Sequence, residues 1–228
     1  MAQSFFNLTI EELKTPLSAD DGPLPTFWAK QAFVKAYQEL NTDVEKWDFP
    51  LKWKTWLKRK VAFDLFKKVQ IQQSNDQTTK FLFGLEDNKF IETVLIPFEN
   101  HYSLCLSTQV GCAFGCTFCF TGKKGLLRNL RPSEIVGQVV SVKKWLLKNK
   151  KTMKKPLTNI MYMGQGEPLH NFDAVKKASL LFLHPWGLNF APRKISLSTV
   201  GHVPALKRWS ELPAINLSVS LHAATNEL

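Results

Sequence analysis

The stretch Val110-Gly111-Cys112-Ala113-Phe114-Gly115-Cys116-Thr117-Phe118-Cys119 decides the reading of this chain. It sets three thiols at x3 and then x2 spacing directly after an apolar, strand-like run. Three thiolates on one tight loop can hold three irons of a [4Fe-4S] cluster and leave the fourth without a protein ligand. An open iron can bind a small chelating cofactor and pass it an electron. The familiar chemistry of that arrangement is reductive cleavage of S-adenosylmethionine. Two rivals stand beside this reading. Zinc takes four ligands, most often as two separated C-x2-C knuckles or paired Cys and His. Only one C-x2-C occurs here, and no H-x3-5-H follows. Cys105, seven residues before the loop, would close the cluster into a plain electron carrier, at the cost of bending its own strand. Phe118, just before the last cysteine, is placed to pack over the cofactor.

Outward from the thiols, strand, loop and helix repeat. Ser103–Ser107 reads as a strand before the cysteine loop. Pro132 and Glu134 open a helix with Ile135, Val139, Val142 and Leu146 on one face. Asn159–Met163 is a strand ending in Gly164-Gln165-Gly166-Glu167-Pro168, and Phe172–Phe182 is helical. Lys194–Leu197 runs into Ser198-Thr199-Val200-Gly201, Val203–Trp209 is a short helix, and Ile215–Val219 runs into Ser220-Leu221-His222. Strands alternating with helices imply βαβ units and a parallel sheet. Every polar or glycine-rich signature lies just past the carboxyl end of a strand. In α/β barrels that face carries the site. The fold class is therefore α/β, a partial (β/α) barrel over 99–228. Four βα strands are visible where a complete barrel takes ~250 residues, so Leu228 is not expected to be a natural end.

Residues 1–68 read as a helical, tryptophan-rich domain. A helix starts near Pro25 with Phe27, Gln31, Phe33 and Tyr37 on one side. A second runs from Leu51 to Lys68 with Trp53, Trp56, Leu57, Val61 and Leu65 near period 3.6. Residues 69–98 read as a β-hairpin connector, Lys80–Leu85 and Phe90–Ile96 around the polar turn Glu86-Asp87-Asn88-Lys89. Glu92 interrupts the second strand, as a solvent-facing acid ordinarily would.

The 228 residues carry 30 Lys+Arg against 19 Asp+Glu, net +11, and 44% are hydrophobic. That excess favours a polyanionic partner. Lys52, Lys54, Lys58, Arg59 and Lys60 interleave with Trp53, Trp56 and Leu57. Lys143, Lys144, Lys148, Lys150, Lys151, Lys154 and Lys155 form a second block. Each alone is as compatible with a solvated face; together with the net charge they point to RNA. There is no run long and apolar enough for a membrane span and no signal-peptide pattern. All four cysteines lie between 105 and 119, unlike a secreted disulfide framework. A reducing cytoplasm is expected.

Gly166-Glu167 suits an amino-acid ammonium, since glycine allows close backbone approach and a carboxylate complements the charge. Pro168 excludes the dinucleotide G-x-G-x-x-G pattern. Ser198, Ser220, Leu221 and His222 are candidates for ribose and adenine contacts. Taken singly, each polar one is a strand-end cap; in one mouth with an iron–sulfur loop, cofactor contact is the better reading.

The run Cys105-Leu106-Ser107-Thr108-Gln109-Val110-Gly111-Cys112, then Cys116 to Gly122, Gly125 and Arg128-Asn129-Leu130, resembles the RlmN/Cfr family of radical SAM RNA (adenine) methyltransferases. G-Q-G-E-P-L-H-N-F-D, L-S-T-V-G, L-S-V-S-L-H-A-A-T-N-E and Glu92 within I-E-T-V-L-I-P match in order, over about residue 24 to the end. Arg128-Asn129-Leu130 is similar to the RlmN branch, which methylates carbon 2 of an adenine in large-subunit ribosomal RNA and some tRNAs; the Cfr branch methylates carbon 8. The resemblance implies a [4Fe-4S] cluster on Cys112, Cys116 and Cys119, two S-adenosylmethionine molecules, an electron donor such as flavodoxin or ferredoxin, and a monomer. One S-adenosylmethionine methylates a cysteine near the family's C-terminus, and a radical from the second activates that methyl for addition to the adenine. Cys105 matches the cysteine that resolves the enzyme–RNA adduct, and Glu92 the proton acceptor. The chain departs from the family in four places. No cysteine follows Cys119, a later S-adenosylmethionine-contacting asparagine is absent, Phe120 replaces a small residue and is expected to crowd the cluster mouth, and Gln165 stands where methionine is common. A truncated methyltransferase, inactive alone, is expected. The alternatives are a carbon-8 (Cfr-type) adenine methyltransferase, a same-barrel enzyme with another substrate, a non-catalytic RNA-binding fragment and a structural zinc protein.

Overall fold

The computed structural model describes residues 2–15, 22–149, 154–221, 223 and 225. The chain opens with β1 (Gln3–Ser4), α1 (Ile10–Lys14), α2 (Thr26–Phe33), α3 (Leu51–Lys60) and β2 (Val61–Ala62). A meander follows: β3 (Lys68–Gln73), β4 (Thr79–Gly84) and β5 (Phe90–Pro97). The remainder runs β6 (Tyr102–Cys105), β7 (Gln109–Gly111), α4 (Phe120–Lys123), β8 (Leu126–Asn129), α5 (Pro132–Lys148), β9 (Leu157–Tyr162), α6 (Phe172–Leu183), β10 (Ile195–Thr199), α7 (Val203–Leu206) and β11 (Asn216–Val219).

Seven strands form one sheet in the order β11-β10-β9-β6-β5-β4-β3. β6, β9, β10 and β11 are parallel, as the alternating pattern predicts, and β5, β4 and β3 extend the sheet antiparallel. Paired residues share a face, because side chains alternate along each strand. Leu95, Leu104, Ile160 and Ile195 pair in a row and are all fully buried, on the face that α5 and α6 cover. The neighbouring row, Val94, Cys105, Met161 and Ser196, points to the other face, which would be a barrel's interior. On α5 the predicted Ile135, Val139, Val142 and Leu146 are buried; Gln138 among them accepts from Thr93 Oγ1 at 2.6 Å and Ser107 N at 2.9 Å.

Three expectations change. The helix from Leu51 stops at Lys60, because Val61-Ala62 pair in parallel with Gln3-Ser4 instead of adding another turn. Lys68–Gln73 is an edge strand, so the hairpin becomes a three-stranded meander. Its residues are all exposed, which removed the alternation that would have announced it. On α2, Phe27 is 60% exposed, and Ala29, Ala32 and Phe33 form the buried side.

The first 66 residues pack onto α5 and α6 through one continuous apolar core. Polar ties fix the contact. Asn7 Oδ1 accepts from Ser133 N at 2.8 Å, Lys177 pairs with Glu12 at 2.6 Å, and Lys144 Nζ donates to Thr42 Oγ1 at 3.0 Å.

Candidate active site

The cysteine loop leaves the sheet through a two-stranded ribbon, β7 against β8. Its pivot is Gly111, at φ +79°, where an added Cβ would stand 1.9 Å from the Gly125 carbonyl oxygen. No other residue fits there without moving backbone. Cys112 N donates to that same carbonyl at 3.0 Å, and Cys119 N donates to Cys116 O at 3.0 Å, which coils the loop. Its tip, Phe114, meets the His170 and His202 rings edge-on at 5.8 and 5.5 Å, so the loop leans on the segments after β9 and β10.

Gln109 joins these parts. Its Oε1 accepts from Glu167 N at 2.8 Å, and its Nε2 donates to Asn129 Oδ1 at 2.7 Å. Nε2 also lies 3.2 Å from His170 Nδ1, which must then accept, placing the ring proton on Nε2. Asn171 Nδ2 donates at 2.8 Å to both Thr108 O and Leu130 O, clamping the two ends of the cysteine loop. Glu167 is 3% exposed. Its Oε1 accepts from Leu169 N at 3.0 Å and its Oε2 from Val200 N at 2.9 Å, so one carboxylate ties the β9 loop to the β10 loop. Each oxygen keeps a lone pair for a further donor.

A cavity of about 320 Å³ opens between these loops, lined by Cys112, Cys116, Cys119, Phe118, Thr121, Met163, Gly166, Glu167, Ser198 and Ser220 among others. The convergence expected from strand ends is met for the loops after β6, β9 and β10 and for Ser220 beyond β11. Phe118 is 72% exposed and lines the same cavity as the thiols. Burial raises the Cys112 thiol above its ordinary pKa, and the neighbouring Cys116, Glu167 and Cys119 add to the rise. Among the described residues no three His, Cys, Asp or Glu side chains close to the distances of a single-ion site. Ser198 Oγ and Ser220 Oγ stand 3.4 Å apart on the far wall. Leu221 is 79% exposed and does not line this cavity, and His222 lies outside the described residues.

Residues 106–228 match the model of the Radical SAM superfamily. The chain belongs to the radical SAM superfamily. It is 42% identical over 207 residues to the dual-specificity RNA methyltransferase RlmN of Syntrophobacter fumaroxidans, covering 89% of this chain and 58% of that protein. It is 39% identical to a probable RlmN of Aquifex aeolicus, over 97% of this chain and 62% of the relative. A crystal structure of a radical SAM methyltransferase from Sphaerobacter thermophilus superposes with a TM-score of 0.86 at 37% identity, over 97% of this chain and 64% of that one. The chain thus spans about three-fifths of the length of the relatives it matches. A [4Fe-4S] cluster and S-adenosylmethionine are the cofactors of this superfamily.

Within this radical SAM fold, Cys105 is absent from the wall of the thiol cavity and sits on the interior face of β6. Burial pushes its thiol up to about 11, the Met163 N–H partly offsetting. Glu92 occupies the same face of β5, two residues from Val94, the cross-strand partner of Cys105. Its carboxylate pairs with Lys80 at 3.1 Å, and its carbonyl accepts from Ser107 Oγ at 2.5 Å. Phe120 does not crowd the thiols; it is 73% exposed and lines a separate cavity. The second basic block, as far as it is described, sits where α5 ends beside the start of β9, at the amino end of the strands and away from the mouth; Lys150 and Lys151 lie outside the described residues. The sequence reading missed Gln109 and Asn171. Their partners lie 20 to 63 positions away, and nothing local marks them as clamps.

Proposed function

We propose that this chain forms the cluster- and cofactor-binding part of a radical SAM methyltransferase that acts on carbon 2 of an adenine in large-subunit ribosomal RNA and in tRNA. The observation that carries the reading is the single cavity that joins three thiols from one loop to the Gly166-Glu167 and Ser198 strand ends. Its named wall also suits the cofactors chemically. Soft thiolates favour iron–sulfur ligation, the carboxylate complements an ammonium, and no lysine or arginine lines the wall to repel a sulfonium. In this reading Cys112, Cys116 and Cys119 hold the cluster, which supplies an electron to the sulfonium when both cofactors are bound.

The residues divide the remaining work. Gly166 and Glu167 hold the methionyl ammonium, Ser198 and Ser220 the ribose, and Phe118 keeps water from the thiols. Leu221 and His222, which follow Ser220 in the sequence, are the proposed adenine contacts. Cys105 is the thiol that resolves the enzyme–RNA adduct, and burial raises its pKa to about 11. Glu92, on the same sheet face, is the proton acceptor, oriented by Lys80. No cysteine follows Cys119, so these residues do not supply the methyl-carrying thiol, and the chain by itself is not expected to complete the transfer. The setting proposed is a cytoplasmic monomer served by a flavodoxin or ferredoxin.

Anaerobic reconstitution with iron and sulfide tests the reading. About four irons per chain, and an electron paramagnetic resonance signal that changes on adding S-adenosylmethionine, are expected. A single zinc, or a signal indifferent to S-adenosylmethionine, would overturn it.

A further inference from the structure

Beside the thiol cavity, and sharing Thr121 with it, lies a second cavity of about 260 Å³. It sits between the turn joining β4 to β5 and the helix α4, and Phe90, Phe120, Lys89, Lys124, Thr121 and Gln165 are on its wall. Phe90 and Phe120 are 44% and 73% exposed, so two rings face solvent beside a concave slot instead of completing the core. Lys124 Nζ stands 4.9 Å from the Phe120 ring, and no carboxylate pairs with it among the described residues. Lys89 meets Asp87 at 3.1 Å, but Asp87 also binds Arg128 through both oxygens, at 2.7 and 3.2 Å. Asp87 and Glu134 together balance Lys89 and Arg128, so the uncompensated positive charge at the rim is that of Lys124. Arg128 also pairs with Glu134, and Arg131 with Glu86, further along the same side.

Aromatic rings at a slot with room for one base, ammonium groups at its rim, and a hydroxyl and an amide within are the elements that bind an unstacked nucleotide. A protein partner would need a broad and flatter patch. We propose that this cavity is a subsite for one unstacked RNA nucleotide next to the reacting base, with its base against Phe120 and Phe90 and its phosphate between Lys89 and Lys124. The proposal rests on RNA being the substrate, and it explains why a bulky Phe120 is accommodated directly after Cys119 without entering the thiol cavity.

The test uses the reconstituted chain, a short single-stranded RNA carrying 4-thiouridine, and a fluorescent copy of the same RNA. Irradiation should cross-link the unaltered protein in the peptides holding Phe90 or Phe120, mapped by mass spectrometry. Phe120→Ala and Phe90→Ala should each weaken binding roughly tenfold, and Lys124→Ala should lower the salt slope of log K by about 1. Iron content, read on every variant, identifies any that fail to fold; the cross-link on unaltered protein does not depend on them. Cross-links only elsewhere, variants that bind as tightly as the parent, or loss confined to electron uptake from an acidic redox protein would each overturn the subsite. None of these results would touch the cluster reading, which the resonance signal tests separately. Absence of any RNA binding by the unaltered protein would overturn the subsite and the RNA assignment together.

Discussion

Around the thiols several buried side chains are polar, and they are committed to hydrogen bonds. Gln109, Asn171 and Glu167 each serve two or more partners on different loops. Among the described residues of the first 66, the buried side chains are aliphatic and aromatic. Phe5 stacks on Phe63 at 4.7 Å and meets Phe33 and Tyr37 at 5.6 and 5.8 Å, while Tyr37 Oη, Trp47 Nε1 and Trp56 Nε1 are buried without a partner among the described residues. The second region gains its stability from apolar area, which is non-directional. The first gives up apolar area for directed bonds, because a site must hold its groups in fixed positions. One region stores stability and the other stores geometry.

That contrast can be broken by substitution. The largest effect belongs to Cys116→Ser, which should abolish cluster assembly, with iron falling from about four per chain to near zero. Its urea midpoint, measured without iron, should hardly move, since Cys116 is only half-buried. Phe33→Ala should do the reverse. It removes a fully buried ring and should lower stability by ~3–5 kcal/mol, while the fraction that remains folded still takes up iron at the parent ratio. Comparable iron loss in both variants would erase the distinction.

A smaller change sharpens it. Glu167→Gln leaves one carbonyl oxygen for two backbone donors, so an NH2 group must face either Leu169 N or Val200 N. A cost of ~1–3 kcal/mol is expected in urea unfolding, with a weaker S-adenosylmethionine response although the thiols are intact. Smallest is the pH effect of Cys105. Its folded pKa, about 11, lies above the ordinary value of 9.0. The folded state therefore binds more protons than the unfolded state between those values. Its contribution to stability is complete below pH 9 and is lost as pH rises toward 11. Cys105→Ser should flatten that alkaline slope, and alkylation of Cys105 in the parent should stay slow until the same range.

Much of the site was legible because its chemistry is local. Cys112, Cys116 and Cys119 occupy one loop, and Gly166-Glu167 and Ser198 each follow a strand whose apolar run could be recognised. Strand–helix alternation then places them on one mouth. The edge strand Lys68–Gln73 was hidden because neither of its faces is buried. The end of α3 was hidden because Val61 and Leu65 fit a helical period equally well, and only the pairing of Val61-Ala62 with Gln3-Ser4 settles the backbone.

The sequence by itself determined the thiol loop, the parallel repeat and the family, since each depends on residue identity at short spacing. Only the tertiary structure decided which polar side chain spans which pair of loops, that Glu167 is tied by two backbone amides, that Cys105 lies on the interior face of β6, and that Phe120 walls a cavity of its own. Most of those outcomes depend on contacts between residues 33 to 63 positions apart. Their geometry exists only after the sheet has brought the strand ends together, and no local pattern encodes it.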